Sequence, residues 1–169
     1  MGAESTGTTT MAKSLAEYYK TVWIPEFGRT YWEAKMYLPE SSNWRTKEFT
    51  YIAREQNRME DKLARIANKI LICDTDSFAT TLWHERYIGF ISEEVYALNK
   101  YRNYDLYFLT GDEIQFVQDG TRDGEHIRHS MHKRFEDELR KRNKKYILLS
   151  GNHETRLKRA IEECDKLIR

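Results

Sequence analysis

The sequence predicts an α/β fold with a mostly parallel sheet, on three observations. Residues 69–74, 104–109 and 145–149 are short segments built around apolar runs (70–73, 106–109 and 146–149), the mark of strands covered on both faces. Segments of helical apolar periodicity separate them, so strands and helices alternate. Asp74, the Thr110-Gly111-Asp112 turn and Ser150 follow the runs, at the strand ends where parallel sheets bind their ligands.

In chain order, residues 8–20 read as a helix with Met11, Leu15 and Tyr18 on one face. Residues 21–24 form a short β-favouring run closed by Pro25, and a helical segment from Arg29 is broken by a loop at 39–43. The clearest helix spans 46–68, with Phe49, Ile52, Gln56, Met59, Leu63 and Ile66 on one face and Gln56 as its polar interruption. After the strand at 69–74 come helices at 77–87 and 93–101, the strand at 104–109 and a loop rich in Gly and Asp at 111–124. A helix at 125–143, a strand at 145–149 and a helix at 154–168 carrying Leu157, Ile161, Cys164 and Ile168 complete the chain.

With 169 residues, 40% of them apolar, and 11 Tyr, 7 Phe and 4 Trp, the chain is one domain's worth of core-forming sequence. No apolar run approaches the roughly 20 residues of a membrane helix, and no signal-peptide pattern opens the chain, so a cytoplasmic protein without a membrane partner is expected. Cys73 and Cys164 sit in apolar patterns and read as buried thiols. Lys and Arg number 28 against 27 Asp and Glu, too even a balance for a dedicated nucleic-acid binder. The basic run Arg140, Lys141, Arg142, Lys144, Lys145 reads as the solvated end of a helix.

Five segments carry candidate chemistry. Gly2-Ala3-Glu4-Ser5-Thr6-Gly7-Thr8-Thr9, leading into Thr10, fits the phosphate-binding loop G-x-x-x-x-G-K-[ST] except that Thr8 replaces the lysine. Such a loop points backbone N–H groups at phosphate oxygens, and its last hydroxyl, here Thr9, ligates magnesium. A glycine turn capping a helix is the other reading. No strand precedes Gly2 in this sequence, which predicts a gap or an exposed edge in the sheet. Asp74 ends a buried strand, where a carboxylate holds magnesium or caps the next helix; Asp76 before Ser77 has the capping position.

Glu26, in Pro25-Glu26-Phe27-Gly28-Arg29, stands where a carboxylate accepts a proton from an attacking hydroxyl or stabilises a helix start. Glycines bracket Arg122 in the stretch from Gln118 to Arg128, the pattern of a mobile lid that brings cations onto phosphates. Ser130 occupies the place of a calcium loop's bidentate Glu, and no closing ligand set accompanies His126, His129 and His132. Calcium and zinc are therefore not expected. Trp83 and Tyr87, four apart on a helix, share a face that serves core packing or stacks on a flat heterocycle.

Taken together and in order, GAESTGTTT, WIPEFGR, IAREQNR, CDTDSFATTLWHERYIG and FVQDGTRDGEHIR resemble the ribosylnicotinamide kinase domain of the NadR family, P-loop kinases grouped with AAA-type ATPases. The resemblance runs from Gly2 to the last helix. It implies a three-layer P-loop fold with a helical lid at about 112–130, one kinase domain over 1–169, and transfer of phosphate from ATP to the 5′-hydroxyl of nicotinamide riboside. It implies ATP at Gly2 to Thr10, Mg2+ at Thr9 and Asp74, Glu26 as base, and Arg122 and Arg128 as lid cations compensating for Thr8. Glu26, Arg29, Asp76, Trp83 and Tyr87 are then the expected acceptor contacts. The adenylyltransferase and DNA-binding domains that some members carry do not fit in this length and are not expected. Self-association is left open, as is the acceptor. A non-catalytic nucleotide or NAD sensor, and a kinase for another nucleoside, are the alternatives, the first motivated by Thr8.

Overall fold

The computed structural model describes residues 1–168. Its first half runs α1 (Thr8–Tyr19), β1 (Trp23–Ile24), α2 (Phe27–Lys35), α3 (Thr46–Leu63), β2 (Ile72–Cys73) and α4 (Ser77–Ile88). The second half runs α5 (Glu93–Lys100), β3 (Tyr107–Thr110), a 3-10 turn (Glu125–Ile127), α6 (Arg128–Lys141), β4 (Tyr146–Leu149) and α7 (His153–Leu167).

All strand pairing is parallel among the described residues, as buried apolar runs require. Trp23 pairs with Ile72 and Ile24 with Cys73, while Tyr107 through Thr110 pair with Tyr146 through Leu149. The strands therefore form two pairs, β1–β2 and β3–β4, without a ladder between them. A gap runs between the two pairs. Met1 lies in it, extended beside β3: its amino group donates to the Phe108 carbonyl at 2.9 Å, and its own carbonyl accepts from Thr110 N–H at 3.1 Å. A cleft of ≈ 660 Å³ below Met1 separates Ile72 from Tyr107 and Phe108.

Helices cover both faces. On one, α1 and α7 bury Met11, Leu15, Ala16 and Ala160 against Ile72 and Leu149. On the other, α4 and α6 bury Phe78, Leu82, Met131, Phe135 and Leu139 against Tyr107 and Leu109. Beside these, α3 and α5 pack on α4 through Phe49, Ala53 and Val95.

Local signals set the helix boundaries. Asp76 caps α4 by accepting from Ala79 N–H at 2.9 Å, Ser92 caps α5, and Asn152 caps α7 through Thr155 N–H at 2.9 Å. Asn152→Ala is expected to lower stability by about 1 kcal/mol in urea unfolding, because the amide it satisfies loses its partner.

Several expectations shift. The strands are shorter than their apolar runs, since β2 has only the two residues of β1 to pair with. The long helix stops at Leu63, short of residue 68, and Ile66 beyond it is 66% exposed. Glu60 turns inward on that helix, where the Tyr104 hydroxyl (2.6 Å) and Arg102 (2.8 Å) both donate to its Oε2, while its buried Oε1 has no partner among the described residues. On α1 Tyr18 is exposed; its neighbour Tyr19 points in and donates to Asp165 at 2.8 Å. Cys164 is buried and Cys73 only partly so. Arg142 is not solvated: it lies over the rings of Phe78 and Tyr96 and donates to Glu138 at 2.9 Å. The first turn of the expected 125–143 helix is 3-10, and α6 proper starts at Arg128.

Candidate functional site

Between the first loop, α2, α3, α4 and residues 121–123 lies a cavity of ≈ 460 Å³ at the carboxyl ends of β1 and β2. One end is the glycine loop, residues 2–8. Gly7 takes φ 83, a left-handed conformation that favours glycine, and delivers the chain into α1 with no side-chain cap over its first amides. Gly2 passes so close to β3 that a Cβ there would collide with the Thr110 and Thr6 hydroxyls. Thr6 fixes the turn by donating to the Ala3 carbonyl at 2.7 Å, and its hydroxyl meets that of Thr110 at 2.7 Å. From below, buried Arg156 of α7 donates to the Thr6 carbonyl (2.8 Å), to the Gly111 carbonyl (3.0 Å) and to Glu113 (2.7 Å). Sequence reasoning missed Arg156, which shares the inward face of α7 with Ala160, Glu163 and Cys164 and carries no motif.

Deeper in, Thr9 donates to Asp74 Oδ2 at 2.6 Å, joining the loop to the end of β2. Glu26, half-buried at the start of α2, lines the same recess. Burial, and after it the charge of Asp74, push the Glu26 carboxyl up to about 7. Among the described residues no trio of His, Cys, Asp or Glu is placed to hold a metal alone. A hydroxyl and one carboxylate facing a phosphate-binding turn do fit magnesium, which takes one or two protein oxygens and completes its shell with phosphate and water.

An aromatic wall forms the other end. Trp44 lies 5.0 Å from Phe49, 5.4 Å from Tyr87 and 5.6 Å from Trp32 between ring centres, and Trp83 stacks on Tyr87 at 6.3 Å. Trp83 and Tyr87 thus serve packing and cavity at once. No periodicity or motif marks Trp44, which sits in the loop before α3. Lys35 holds it there, with Nζ 4.0 Å from its ring centre and 3.0 Å from Glu48. Gln56, the polar interruption on the α3 face, accepts from Phe27 N–H at 3.0 Å and donates to the Thr75 carbonyl at 3.2 Å. It ties together the two post-strand loops that carry Glu26 and Asp74.

Along the rim, Glu4 accepts the N–H groups of Asp123 (3.0 Å) and Gly124 (3.3 Å), and Arg122 faces the cavity opposite Arg29. Two expected site residues lie elsewhere. Asp76 is outside the cavity: its second oxygen accepts from Tyr107 at 2.9 Å, so capping and strand bracing use the whole carboxylate. Arg128 is also outside, 4% exposed, its guanidinium bonded to the Ile114 carbonyl and set over Phe116. It braces the 112–127 segment from inside.

A family model described as an AAA domain matches residues 1–156. Two curated relatives, the trifunctional NAD biosynthesis/regulator proteins NadR of Salmonella typhimurium (strain LT2) and Escherichia coli (strain K12), are each 29% identical over 122 residues. That alignment covers 72% of this chain and 30% of each relative, so the chain matches under a third of their length. A crystal structure of a NadR protein in complex with NR superposes with TM-score 0.80 at 20% identity, over 99% of this chain and 50% of that one. Another, of NadR with NAD and AMP-PNP, gives 0.75 at 19% identity, over 99% and 48%. The fold is thus that of the NadR P-loop domain. Among the described residues no helix is long and apolar enough to cross a membrane.

Proposed function

The chain belongs to the AAA-domain family, and on that premise we propose that it is a cytoplasmic kinase transferring the γ-phosphoryl group of ATP to the 5′-hydroxyl of nicotinamide riboside. The observation that carries this reading is convergence on one cavity: a phosphate-type loop at one end, an aromatic wall at the other, and the Glu26 carboxyl between them. The similarity to NadR proteins, one of them crystallised with NR and another with AMP-PNP, supports the choice of substrates. In this reading residues 1–169 are one kinase domain and residues 112–130 its lid.

The loop amides of residues 2–8 and the free first turn of α1 receive the phosphates. Thr9 and Asp74 would hold Mg2+, which neutralises charge on the β- and γ-phosphate oxygens when bound. The pyridinium ring of the acceptor stacks on the Trp44–Trp83–Tyr87 wall and gains cation–π attraction there. Glu26 takes the proton of the 5′-hydroxyl as that oxygen bonds to the γ-phosphorus and the bridge to the β-phosphate breaks, leaving ADP and nicotinamide mononucleotide. With its carboxyl near 7, Glu26 is poised to accept that proton at neutral pH. Arg122 and Arg29 supply the positive charge that Thr8 does not.

The test is incubation of the protein with Mg2+, ATP and nicotinamide riboside, with chromatography for the mononucleotide. Product formed in step with ADP supports the kinase. No product above the protein-free control overturns it. Thr8 favours a second reading, a module that binds nucleotide without turnover, and Thr8→Lys separates the two. For a kinase whose arginines already compensate, the rate changes by less than about tenfold. Turnover appearing only in Thr8→Lys would establish the binding module.

A further inference from the structure

One carboxylate joins the lid to α2 across the rim of the cavity. Asp119 Oδ2 stands 2.7 Å from the Arg29 guanidinium and 3.1 Å from that of Arg122. Its other oxygen accepts from the Thr121 backbone N–H (3.1 Å) and hydroxyl (2.7 Å). A single anionic oxygen thus bridges two cations from different elements, while its twin is anchored in the lid's own backbone. Burial alone would raise this carboxyl, but hydrogen bonds from Thr121 and Arg29 outweigh it and hold it down at about 2. The lid is fastened to the phosphate loop as well, since Glu4 holds Asp123 and Gly124 and the Ser5 hydroxyl accepts from Val117 N–H at 2.9 Å.

Two guanidiniums sharing one oxygen is the arrangement arginines adopt around a phosphoryl group. Both Arg29 and Arg122 line the cavity that contains the phosphate loop. Glu33 pairs with Arg29 Nε at 3.0 Å and the Val117 carbonyl accepts from Arg122, so each arginine has a second holder that keeps it oriented if Asp119 lets go.

We propose that Asp119 is an internal stand-in for a phosphoryl oxygen: it gathers Arg29 and Arg122 into a clamp over the empty site and yields both to the terminal phosphate of a bound triphosphate. This rests on the kinase reading above. Triphosphate and Asp119 then compete for the same two cations, and the lid's grip on α2 is strongest when the site is empty. Asp119 is a positioning residue in this scheme. It never touches the reacting atoms.

The experiment compares the intact chain with Asp119→Asn in two measurements. The first needs no nucleotide: amide hydrogen exchange over residues 117–124, expected to run several-fold faster in Asp119→Asn. The second is calorimetric binding of Mg2+-ATP, expected to be roughly 2- to 5-fold tighter in the variant, the scale of one exposed competing ion pair. Unchanged exchange, or binding equal to or weaker than that of the parent, overturns the stand-in while leaving the kinase reading intact. Faster exchange with no Mg2+-ATP binding by either protein sinks both, because no phosphate then claims the arginines.

Discussion

On the proposed kinase reading, Glu26→Gln is expected to abolish most of the phosphoryl transfer and at the same time to make the protein more stable above pH 7. The amide keeps the shape and can still hydrogen-bond, but it cannot take the acceptor's proton; removing a general base costs about 10²- to 10⁴-fold in kcat. In the parent, kcat/KM is expected to rise with pH and level off near the pKa of about 7 that burial and Asp74 impose on this carboxyl; in Glu26→Gln that limb is expected to disappear. The stability effect has the opposite sign. Unfolded, the carboxyl ionises near its ordinary 4.5; folded, it keeps its proton until about 7. Between those values the folded state binds more protons, so stability falls as pH rises, by at most about 1.4 kcal/mol per pH unit from this one group. Glu26→Gln lacks that slope. Melting curves of parent and variant are expected to separate in the variant's favour between pH 5 and pH 8. A variant melting below its parent at pH 8 would mean that the ionised carboxylate is welcome in the recess, contrary to its raised pKa. Retained turnover would remove Glu26 from the chemistry.

Arg156→Met has a large effect of another kind. The methionine fills the aliphatic volume but leaves the carbonyls of Thr6 and Gly111 without their donor and releases Glu113. Buried carbonyls left unpaired, together with an ion pair whose Glu113 end is 45% exposed and therefore counts for little, cost roughly 2–4 kcal/mol. For a chain of this length that lowers the melting temperature by roughly 5–15 °C. Since Thr6 is the turn of the phosphate loop, Mg2+-ATP affinity is expected to fall with it, measured well below the new melting point. Arg156→Lys restores one of the contacts and part of both losses. An unchanged melting temperature in Arg156→Met would show that Thr6, Gly2 and Thr110 hold the loop unaided.

The candidate site was legible to unequal degrees. The glycine loop, Thr9, Asp74 and Glu26, which line one cavity, were singled out because each sits at a fixed offset from a strand or a helix start, and short-range geometry decides such offsets. Trp83 and Tyr87 were found as a helical pair. Asp76 and Arg128 passed the same positional tests and still fell outside the cavity. Asp76 turned to Tyr107, and Arg128 to the Ile114 carbonyl, because those partners come from segments far away in sequence. Gln56 was visible only as an anomaly, a polar residue on an apolar stripe, and its meaning appeared once two loops were seen to share it.

What the residues determined alone is local: parallel strands from apolar runs, helices from their period and caps, and a phosphate-type turn from Gly2 and Gly7. Only the folded chain decided which side chains meet. Trp44 reaches the cavity because Lys35 and Glu48 pin its loop, the phosphate loop rests on Arg156 from the last helix, and Asp119 links Arg29 to Arg122. Each of these joins elements by packing and charge pairing in three dimensions, and periodicity carries no record of partners that distant.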